Sequence, residues 1–419
     1  MPVGWAGMPA PDYQENMPEN NGIRGRLLYP MTLDGKQGDG QELVRQFKLW
    51  SKEHGIHLLL WHRVVRLCAN SSGEVIGCQA ICDRNLLWTI RARRAVIFGS
   101  GGFAFNPELM LHFQRGPHFG GCAVPTNTGD FIYMSQKIGA KLGNMAGAFR
   151  AQIVLERGFD KAFPANVLYI AGDSVILVNR FGHRVMDEKR NYSDRTMVHF
   201  VYDPTRGDWT NMLLFLVYDK RTADLWEGLF PIPKQGEAAQ HVICRQTWEE
   251  LTSAIEDRLA SFTTRTGGFR LDDKFAQNMR QTIARFDDFA KAGFDADFHR
   301  GDLPYDREVS TFPPLISSFQ WPTSDQKNVT MYPFRPQGPY YAIILAAGTL
   351  DTNGGPMINH KAQVLDSAGE IIPGLYGAGN CISSPTANVC WGEGGTIGPA
   401  LTYGYLAGIN ASNEIIKEV

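Results

Sequence analysis

Four glycines lie within seven residues near the C-terminus, and an apolar run with helical spacing follows them directly. They are Gly392, Gly394, Gly395 and Gly398. Glycine at this density is costly to folding unless another group must approach the backbone closely. Backbone N–H groups at the start of a helix favour negative charge, because the helix dipole and the unpaired donors act together. The run therefore predicts a site for an anionic ligand.

Two further glycine turns follow short apolar segments. Residues 95–98 lead into Gly-Ser-Gly-Gly at 99–102, and residues 374–380 read Gly-Leu-Tyr-Gly-Ala-Gly-Asn. The first motif, taken alone, is more often a tight turn than a nucleotide contact. In the second, Asn380 stands where its side chain could bind a ligand hydroxyl, although asparagine is also favoured in turns for its own geometry.

The composition excludes several classes of partner. With 41 basic and 43 acidic residues the chain is almost neutral, which gives no reason to expect nucleic acid or an acidic membrane surface. No segment approaches the roughly 20 apolar residues of a membrane span. Seven cysteines are scattered without metal-ligand spacing, so we expect no metal site and a reducing compartment. A cytoplasmic protein is the expectation.

Helical and strand patterns must position these turns. Helices are predicted at 41–54, 132–142, 248–262 and 274–292, and strands at 56–60, 64–67, 75–81 and 95–98, the last one buried and parallel. Asp130 stands where an N-cap residue belongs. Aromatic residues, prolines and long helices dominate from about residue 151, and the glycine-rich style resumes at Gly348. We therefore predict one domain formed by 1–150 and 346–419, with a second domain, 151–345, inserted into it.

The blocks of this chain, taken in order, resemble one enzyme superfamily. They are Ser-Gly-Gly-Phe, Asn-Thr-Gly-Asp, Val-Asn-Arg-x-Gly-x-Arg, Gly-Gly, Gly-Leu-Tyr-Gly-Ala-Gly-Asn and Gly-Thr-Ile-Gly-Pro-Ala-Leu-Thr-Tyr-Gly-Tyr-Leu. The series is similar to the FAD-dependent fumarate reductase/succinate dehydrogenase flavoprotein superfamily. Its last block most resembles the 3-ketosteroid dehydrogenase branch. The likeness runs from about Tyr29 to the C-terminus, and ordered blocks are far more specific than one motif.

The resemblance implies a fold, a cofactor and a set of cofactor contacts. The fold would be α/β, with a Rossmann-like FAD-binding domain and an inserted α+β cap domain for the substrate. The helix after the last glycine run would point at the pyrimidine end of the flavin, where negative charge collects on reduction. The residues implied along FAD are Ser100, Gly101, Gly102, Asp130, Gly355, Asn380, Thr396 and Ile397.

The resemblance also implies a catalytic residue. Family members carry a substrate-facing side chain four positions after the Glu of the segment that matches 179–188, which is Tyr192 here. Dicarboxylate reductases have Arg there, and ketosteroid dehydrogenases have Tyr. A phenol acts as acid or base where a cationic neighbour lowers its pKa, and Arg190 or Arg195 could supply that charge. An isolated Tyr in a polar segment is otherwise usually half-buried structure.

A second substrate-facing position lies ten residues after Asn380, at Cys390. Dicarboxylate enzymes carry Arg there, and ketosteroid dehydrogenases carry a Tyr that polarises the ketone. Because a thiol donates weakly, ketone polarisation would fall mainly to the backbone N–H of Gly394, and Cys390 is expected as an apolar filler rather than a nucleophile. Asp351 replaces a reductase His and would repel a dicarboxylate, which disfavours fumarate or succinate chemistry.

The front end expected of the superfamily is not found. A Gly-x-Gly-x-x-Gly turn should open the chain and hold the FAD pyrophosphate, yet no such turn precedes Tyr29. The nearest match, at 35–40, follows no apolar strand and is interpreted as a loop. We therefore expect an FAD-binding domain that is incomplete at its N-terminus, with a sheet lacking its central strand and a weakened hold on FAD.

The sequence thus predicts an FAD-dependent oxidoreductase acting on a C–C bond next to a ketone. Its substrate would be bulky, apolar and steroid-like, and its second partner an electron acceptor or donor. Two alternatives stay open. The chain could be a non-catalytic, truncated relative that no longer binds FAD, or a flavin reductase of a different enone or quinone.

Overall fold

The elements of the chain alternate between short strands and helices. The computed structural model describes residues 13–14, 17–18, 29–160, 164–311, 324–392 and 394–417. The strands are β1 (His62–Ala69), β2 (Val75–Cys82), β3 (Leu87–Arg91), β4 (Val96–Phe98), β5 (Leu142–Gly143), β6 (Ala148–Val154), β7 (Asn166–Val167), β8 (Val175–Val178), β9 (Tyr202–Asp203), β10 (Asp208–Trp209), β11 (Leu213–Asp219), β12 (Ile243–Arg245), β13 (Tyr340–Thr352), β14 (Gly355–Pro356), β15 (Gln363–Leu365) and β16 (Ile371–Gly377). The helices are α1 (Gly40–Glu53), α2 (Pro107–Phe113), α3 (Asp130–Gln136), α4 (Leu155–Asp160), α5 (Tyr192–Thr196), α6 (Lys220–Leu225), α7 (Trp248–Ser261), α8 (Phe275–Ala292), α9 (Pro304–Thr311) and α10 (Ile397–Ser412), with 3-10 helices at Met197–Phe200 and Gly379–Cys381.

The largest sheet is organised around β13. Its strands follow the order β7-β6-β13-β11-β8, and β12 also pairs with β13. Each of these pairs is antiparallel. Every residue of β6, β8 and β11 is buried, because the sheet is covered on both faces. That double cover explains the long apolar runs in these strands.

Alternate residues of β13 supply two separate cores. Ala342 and Ile344 pack with α7 and α8 on one face, while Ile343 and Leu345 belong to the cluster on the other. Helix α8 contributes buried side chains at intervals of three and four residues, the spacing of one helix face. They are Phe275, Met279, Ile283, Phe286 and Ala290.

A smaller group of elements carries the glycine turns. Strand β4 pairs in parallel with β16, which also pairs with β15. The strands β1, β2 and β3 form an antiparallel meander. Helix α10 packs against β16 and against the 3-10 helix Gly379–Cys381. The three glycine-rich segments, at 99–102, 374–380 and 392–398, therefore lie on neighbouring elements.

Several predicted elements are confirmed. Helices α1, α7 and α8 begin and end within about one residue of the predicted bounds. The strands predicted at 64–67 and 75–81 lie within β1 and β2. In the turn between them, the Asn70 side chain accepts hydrogen bonds from the backbone N–H groups of Ser72 and Glu74. The parallel strand at 95–98 is β4.

Other predictions about these elements are wrong. Residues 56–60 form no strand and are exposed, because no neighbouring strand of the described chain pairs with them. The helix predicted at 132–142 ends at Gln136, since Gly139 adopts a left-handed φ of 86° and residues 142–143 form β5. Strand β4 is not fully buried either: Ile97 is 44% exposed.

The predicted inserted domain has its boundaries at residues 151 and 345, which fall inside β6 and β13. These two strands pair with each other, with Leu345 opposite Val154. The division of the chain into domains stays a prediction. Within the described ranges, no helix is long and apolar enough to cross a membrane.

Candidate active site

Tyr192 opens helix α5, and its direction is set by the preceding cap. The side-chain oxygen of Asn191 accepts hydrogen bonds from the backbone N–H groups of Ser193 at 3.1 Å and Asp194 at 3.0 Å. The cap fixes the first turn of the helix. Tyr192 is only 8% exposed, and its hydroxyl lies 3.8 Å from Sγ of Cys390. The structure thus brings the two predicted substrate-facing side chains together.

Further tyrosines surround Tyr192. The ring of Tyr13 lies 5.5 Å from that of Tyr192, and the ring of Tyr305 lies 5.0 Å from that of Tyr13, both edge-on. Edge-on contact is favourable because the rim of one ring is positive and the face of the other negative. Tyr169 packs against the same group. We call Tyr13, Tyr169, Tyr192 and Tyr305 the tyrosine cluster.

Cys390 packs within this cluster, and Gly394 follows it in the chain. Cys390 is 4% exposed, and burial raises the pKa of its thiol, so the neutral form is favoured, as expected of a filler. Gly394 lies four residues further on, exposed and with a left-handed φ of 78°. That backbone conformation favours glycine.

Asp351, at the end of β13, connects the predicted cofactor-binding segments. Its Oδ2 accepts hydrogen bonds from the backbone N–H of Gly102 at 2.9 Å, from Nδ2 of Asn127 at 2.7 Å and from Nδ2 of Asn380 at 3.1 Å. Its Oδ1 accepts from the backbone N–H of Thr352 at 2.9 Å. Burial raises the pKa of Asp351, while these donors oppose the shift.

This arrangement orients two amide side chains. Because Nδ2 of Asn127 and Nδ2 of Asn380 both donate to Asp351, the oxygen of each amide is the atom that can accept a hydrogen bond from a ligand hydroxyl. Asp351 therefore supports a binding surface, a role that the sequence analysis did not assign to it.

Other predicted cofactor contacts lie beside the same surface. Ser100 is exposed and hydrogen-bonds to the Cys381 thiol. Gly355 packs against the carbonyl of Cys381, where a Cβ would collide. Gly101 adopts a left-handed φ of 76°, which lets the turn after β4 reverse direction.

The start of α10 is open. Thr396 occupies its N-cap position without a capping side-chain hydrogen bond, and Ile397, its first residue, is 48% exposed. A Cβ at Gly398 would meet nothing within 4 Å. Gly398 donates its backbone N–H to the Gly394 carbonyl at 2.7 Å, and Pro399 has no N–H. The backbone at Thr396 and Ile397 is therefore the part of this first turn that a ligand could approach.

These residues fit FAD. A flavin dinucleotide presents hydroxyls, which the amide oxygens beside Asp351 can accept, and an electron-rich ring edge, which the N-terminus of α10 can stabilise. The glycine turns leave room for close approach, since a Cβ at Gly99 would also meet nothing within 4 Å.

Asp130 has a different setting from the one predicted. The N-cap of α3 is Gly129, with a left-handed φ of 73°, and Asp130 is the first helical residue. Its carboxylate binds the Arg63 guanidinium at 2.7 and 3.0 Å, so it ties α3 to β1. Its predicted contact with FAD stays a prediction.

The structure also separates the two arginines considered as neighbours of Tyr192. Arg195 is 1% exposed and interacts electrostatically with tyrosines of the cluster. Arg190 instead interacts electrostatically with the carboxylate of Asp306. Sequence reasoning missed Tyr13, Tyr169 and Tyr305. They stand in segments without periodicity, and only their assembly in three dimensions reveals them.

The chain matches a known protein family and is similar to characterised dehydrogenases. The profile of the family described as "FAD binding domain" matches residues 18–397. The chain is 30% identical over 384 residues to a 3-oxosteroid 1-dehydrogenase of Mycolicibacterium smegmatis, covering 89% of this chain and 62% of that protein. It is 29% identical to a 4-oxocyclohexanecarboxylate 2-dehydrogenase of Sinomonas cyclohexanicum, covering 89% of this chain and 61% of the relative.

A solved structure shows the same fold. The 3-ketosteroid delta1-dehydrogenase from Sterolibacterium denitrificans, in complex with 1,4-androstadiene-3,17-dione, superimposes with a TM-score of 0.75 at 23% identity, covering 90% of this chain and 64% of that one. The α/β fold class predicted from the sequence is confirmed. The chain spans somewhat more than three fifths of the length of these relatives.

Proposed function

The chain belongs to the FAD binding domain family that includes fumarate reductases and 3-ketosteroid dehydrogenases, and we propose that it is an FAD-dependent oxidoreductase acting on the C–C bond next to a ketone. The observation that carries this proposal is the buried pairing of Tyr192 with Cys390, at 3.8 Å, inside the tyrosine cluster. Cys390 precedes the start of α10 at Ile397 in the chain, and the flavin would lie at that helix start.

The charge of the site favours a neutral substrate. Neither of the two predicted substrate-facing positions carries the arginine that dicarboxylate enzymes have there, because they are Tyr192 and Cys390 in this chain. A dicarboxylate bound there would lose water without gaining an arginine partner at either position, which is strongly unfavourable. A ketone needs only hydrogen-bond donors, and phenols, a thiol and a backbone amide supply them.

Each group then has a role in the reaction. Tyr192 exchanges a proton with the carbon next to the ketone. The backbone N–H of Gly394 donates to the ketone oxygen and stabilises the enolate that develops there, and Cys390 adds at most a weak donor. FAD, when bound, supplies the hydride chemistry at the neighbouring carbon.

A bulky apolar ketone, such as a 3-ketosteroid, suits this site best. The wall consists largely of aromatic rings, which bury flat apolar surface efficiently. The likeness to the 3-oxosteroid 1-dehydrogenase supports the same choice.

A different cyclic ketone is the second candidate. Cys390 replaces the ketone-polarising tyrosine of the ketosteroid branch, and the chain is almost as similar to a 4-oxocyclohexanecarboxylate 2-dehydrogenase. Against a keto acid stands the same lack of an arginine at positions 192 and 390.

A substrate screen tests the proposal. The purified chain, supplied with FAD and an artificial electron acceptor, is incubated with a 3-ketosteroid, a cyclohexanone carboxylate or succinate. Mass spectrometry then measures loss of two hydrogen atoms. We expect the steroid product to form fastest and no fumarate to form from succinate. Oxidation of succinate alone, or of no ketone at all, would refute the proposed function.

A further inference from the structure

Arg195 is a buried cation that donates hydrogen bonds to neutral oxygen atoms. Its Nε donates to Oε1 of Gln152 at 2.8 Å. Its Nη1 donates to the Arg190 carbonyl at 3.0 Å and its Nη2 to the Val167 carbonyl at 2.7 Å. No carboxylate of the described chain forms a salt bridge with it. A buried charge without a counter-ion is expensive, which calls for an explanation beyond packing.

The positive charge of Arg195 interacts electrostatically with the tyrosine cluster. Burial lowers its pKa to about 10, while Tyr305, Tyr13 and Tyr169 oppose that shift electrostatically. At neutral pH the guanidinium therefore remains charged. The coupling is reciprocal, so the cation favours the ionised form of a phenol in this cluster.

Other titratable groups leave this charge largely uncompensated. The carboxyl group of Asp187 interacts electrostatically with Arg195. Burial and the neighbouring Asp306, however, raise the pKa of Asp187 well above its ordinary value, which favours the neutral acid. Burial lowers the pKa of His199 to about 4, so that imidazole is neutral. The positive charge of Arg195 thus acts mainly on phenols.

We propose that Arg195 is a positioning residue whose positive charge stabilises one phenolate within the tyrosine cluster. Arg195 and Tyr192 lie on the same helix, three residues apart. Tyr13 contacts the ring of Tyr192 on one side and that of Tyr305 on the other, which connects the groups facing Arg195 to the residue assigned to proton exchange. The proposal rests on the proposed role of Tyr192 and explains how that role is available near neutral pH.

The chain contains a matched control. Arg150 is also buried, and its Nη1 and Nη2 donate to the neutral groups His118 Nε2 at 2.6 Å and Gln114 Oε1 at 3.1 Å. Burial lowers its pKa to about 10 as well. It packs on the ring of Phe200 instead of the tyrosine cluster, so its removal should disturb packing equally but leave the cluster alone.

An ultraviolet titration of tyrosinate in the folded chain, without cofactor, tests the proposal. The wild type should show one phenol ionising below the ordinary tyrosine pKa of about 10. Arg195→Met should raise that pKa by at least about one unit, as expected for loss of an opposite charge. Arg195→Lys should largely preserve the early ionisation, and Arg150→Met should not change it. Loss of the early ionisation in Tyr192→Phe or Tyr13→Phe would assign it to the cluster.

Each outcome decides the matter. An early ionisation that is missing in the wild type, unchanged in Arg195→Met, or shifted equally in Arg150→Met would overturn the proposal. If circular dichroism shows that Arg195→Met does not fold, Arg195→Lys decides: early ionisation kept supports the charge effect, and early ionisation lost refutes it. The titration needs neither FAD nor substrate. If the titration gives the expected result but the protein turns over no ketone, the proposed function is refuted and the role of Arg195 is not.

Discussion

The large-sheet region, residues 148–352, and the glycine-turn region, residues 29–143 and 353–417, bury their apolar residues very differently. Helix α8 of the first buries five side chains, while the described helix α1 of the second, almost as long, buries none. Helix α10 buries only Ala407 and Ala411. Both regions contain a core, but the core of the second region, which includes Phe98, Phe131 and Leu375, is smaller and leaves helices α1 and α10 largely outside it.

This difference separates two tasks. Tyr192 and the tyrosine cluster pack against β6, a strand buried along its whole length, so the side chains proposed for catalysis have rigid support. The cofactor surface depends instead on specific polar contacts, chiefly those of Asp351. Regions with few buried apolar contacts open more easily. We expect damage to the first region to unfold the protein and damage to the second to release FAD.

The largest effect should come from a pair of core substitutions. Phe286 in α8 is fully buried, and Phe47 in α1 is 50% exposed. Phe286→Ala should lower the free energy of unfolding by about 3–5 kcal/mol, because it leaves a cavity. Phe47→Ala should change it by no more than about 0.5 kcal/mol. Urea denaturation measures both, and equal losses would remove the contrast between the two regions.

Loss of the Tyr192 hydroxyl should stop chemistry without releasing the cofactor. In the FAD-loaded protein, Tyr192→Phe should lower turnover by at least about 10²-fold, as expected for a general acid–base residue, while the flavin stays bound. Tyr218→Phe is the control, because Tyr218 is equally buried but belongs to the other face of the large sheet. Turnover that is unchanged by Tyr192→Phe would take this residue out of the mechanism.

Asp351→Asn should weaken FAD binding instead of acting on the proton-exchange step. The new amide would place a donor against the amide and backbone donors that now meet the carboxylate, and a hydrogen bond to a charged group contributes about 1.5–3 kcal/mol. FAD affinity should therefore fall roughly 10- to 100-fold, as measured by quenching of flavin fluorescence.

Asp130→Asn supplies the comparison for Asp351. The partner of Asp130 is the exposed Arg63, and such surface pairs contribute at most about 1 kcal/mol. Its effect on FAD affinity should be smaller. A loss as large as that of Asp351→Asn would instead support a direct contact between Asp130 and FAD.

The smallest effect concerns Cys390. Cys390→Ser replaces a weak donor by a stronger one of similar size, and one neutral hydrogen bond contributes about 0.5–1.5 kcal/mol. Turnover should rise by less than about tenfold, whereas Cys390→Ala should leave it nearly unchanged. Steady-state rates with one ketone compare the three proteins. A large loss in Cys390→Ala would mean that the thiol polarises the ketone after all.

Sequence patterns predicted the parts of this molecule that depend on local signals. The spacing of apolar residues predicted α1, α7 and α8, which the structure confirms. The ordered glycine blocks predicted a cofactor surface, which stays a prediction. Sequence patterns gave wrong predictions where contacts with distant segments determine the local structure. The apolar residues 56–60 resemble a strand, but a strand needs a partner, and none of the described segments offers one.

The candidate site divides in the same way. Tyr192, Cys390 and Gly394 were found because their positions follow motifs. Asp351 was identified by position but given a different role, since its donors come from three distant segments. Tyr13 and Tyr305 gave no signal, because neither stands in a motif and the two residues lie far apart in the chain.

Reduction of bound flavin by a ketone tests the central claim most directly. The purified chain is saturated with FAD under anaerobic conditions and mixed with one equivalent of a 3-ketosteroid, and the visible flavin band is followed in the wild type and in Tyr192→Phe. Our account predicts rapid bleaching in the wild type and bleaching at least about 10²-fold slower in the variant. A chain that binds no FAD, or a bound flavin that the two proteins reduce at the same rate, would contradict it.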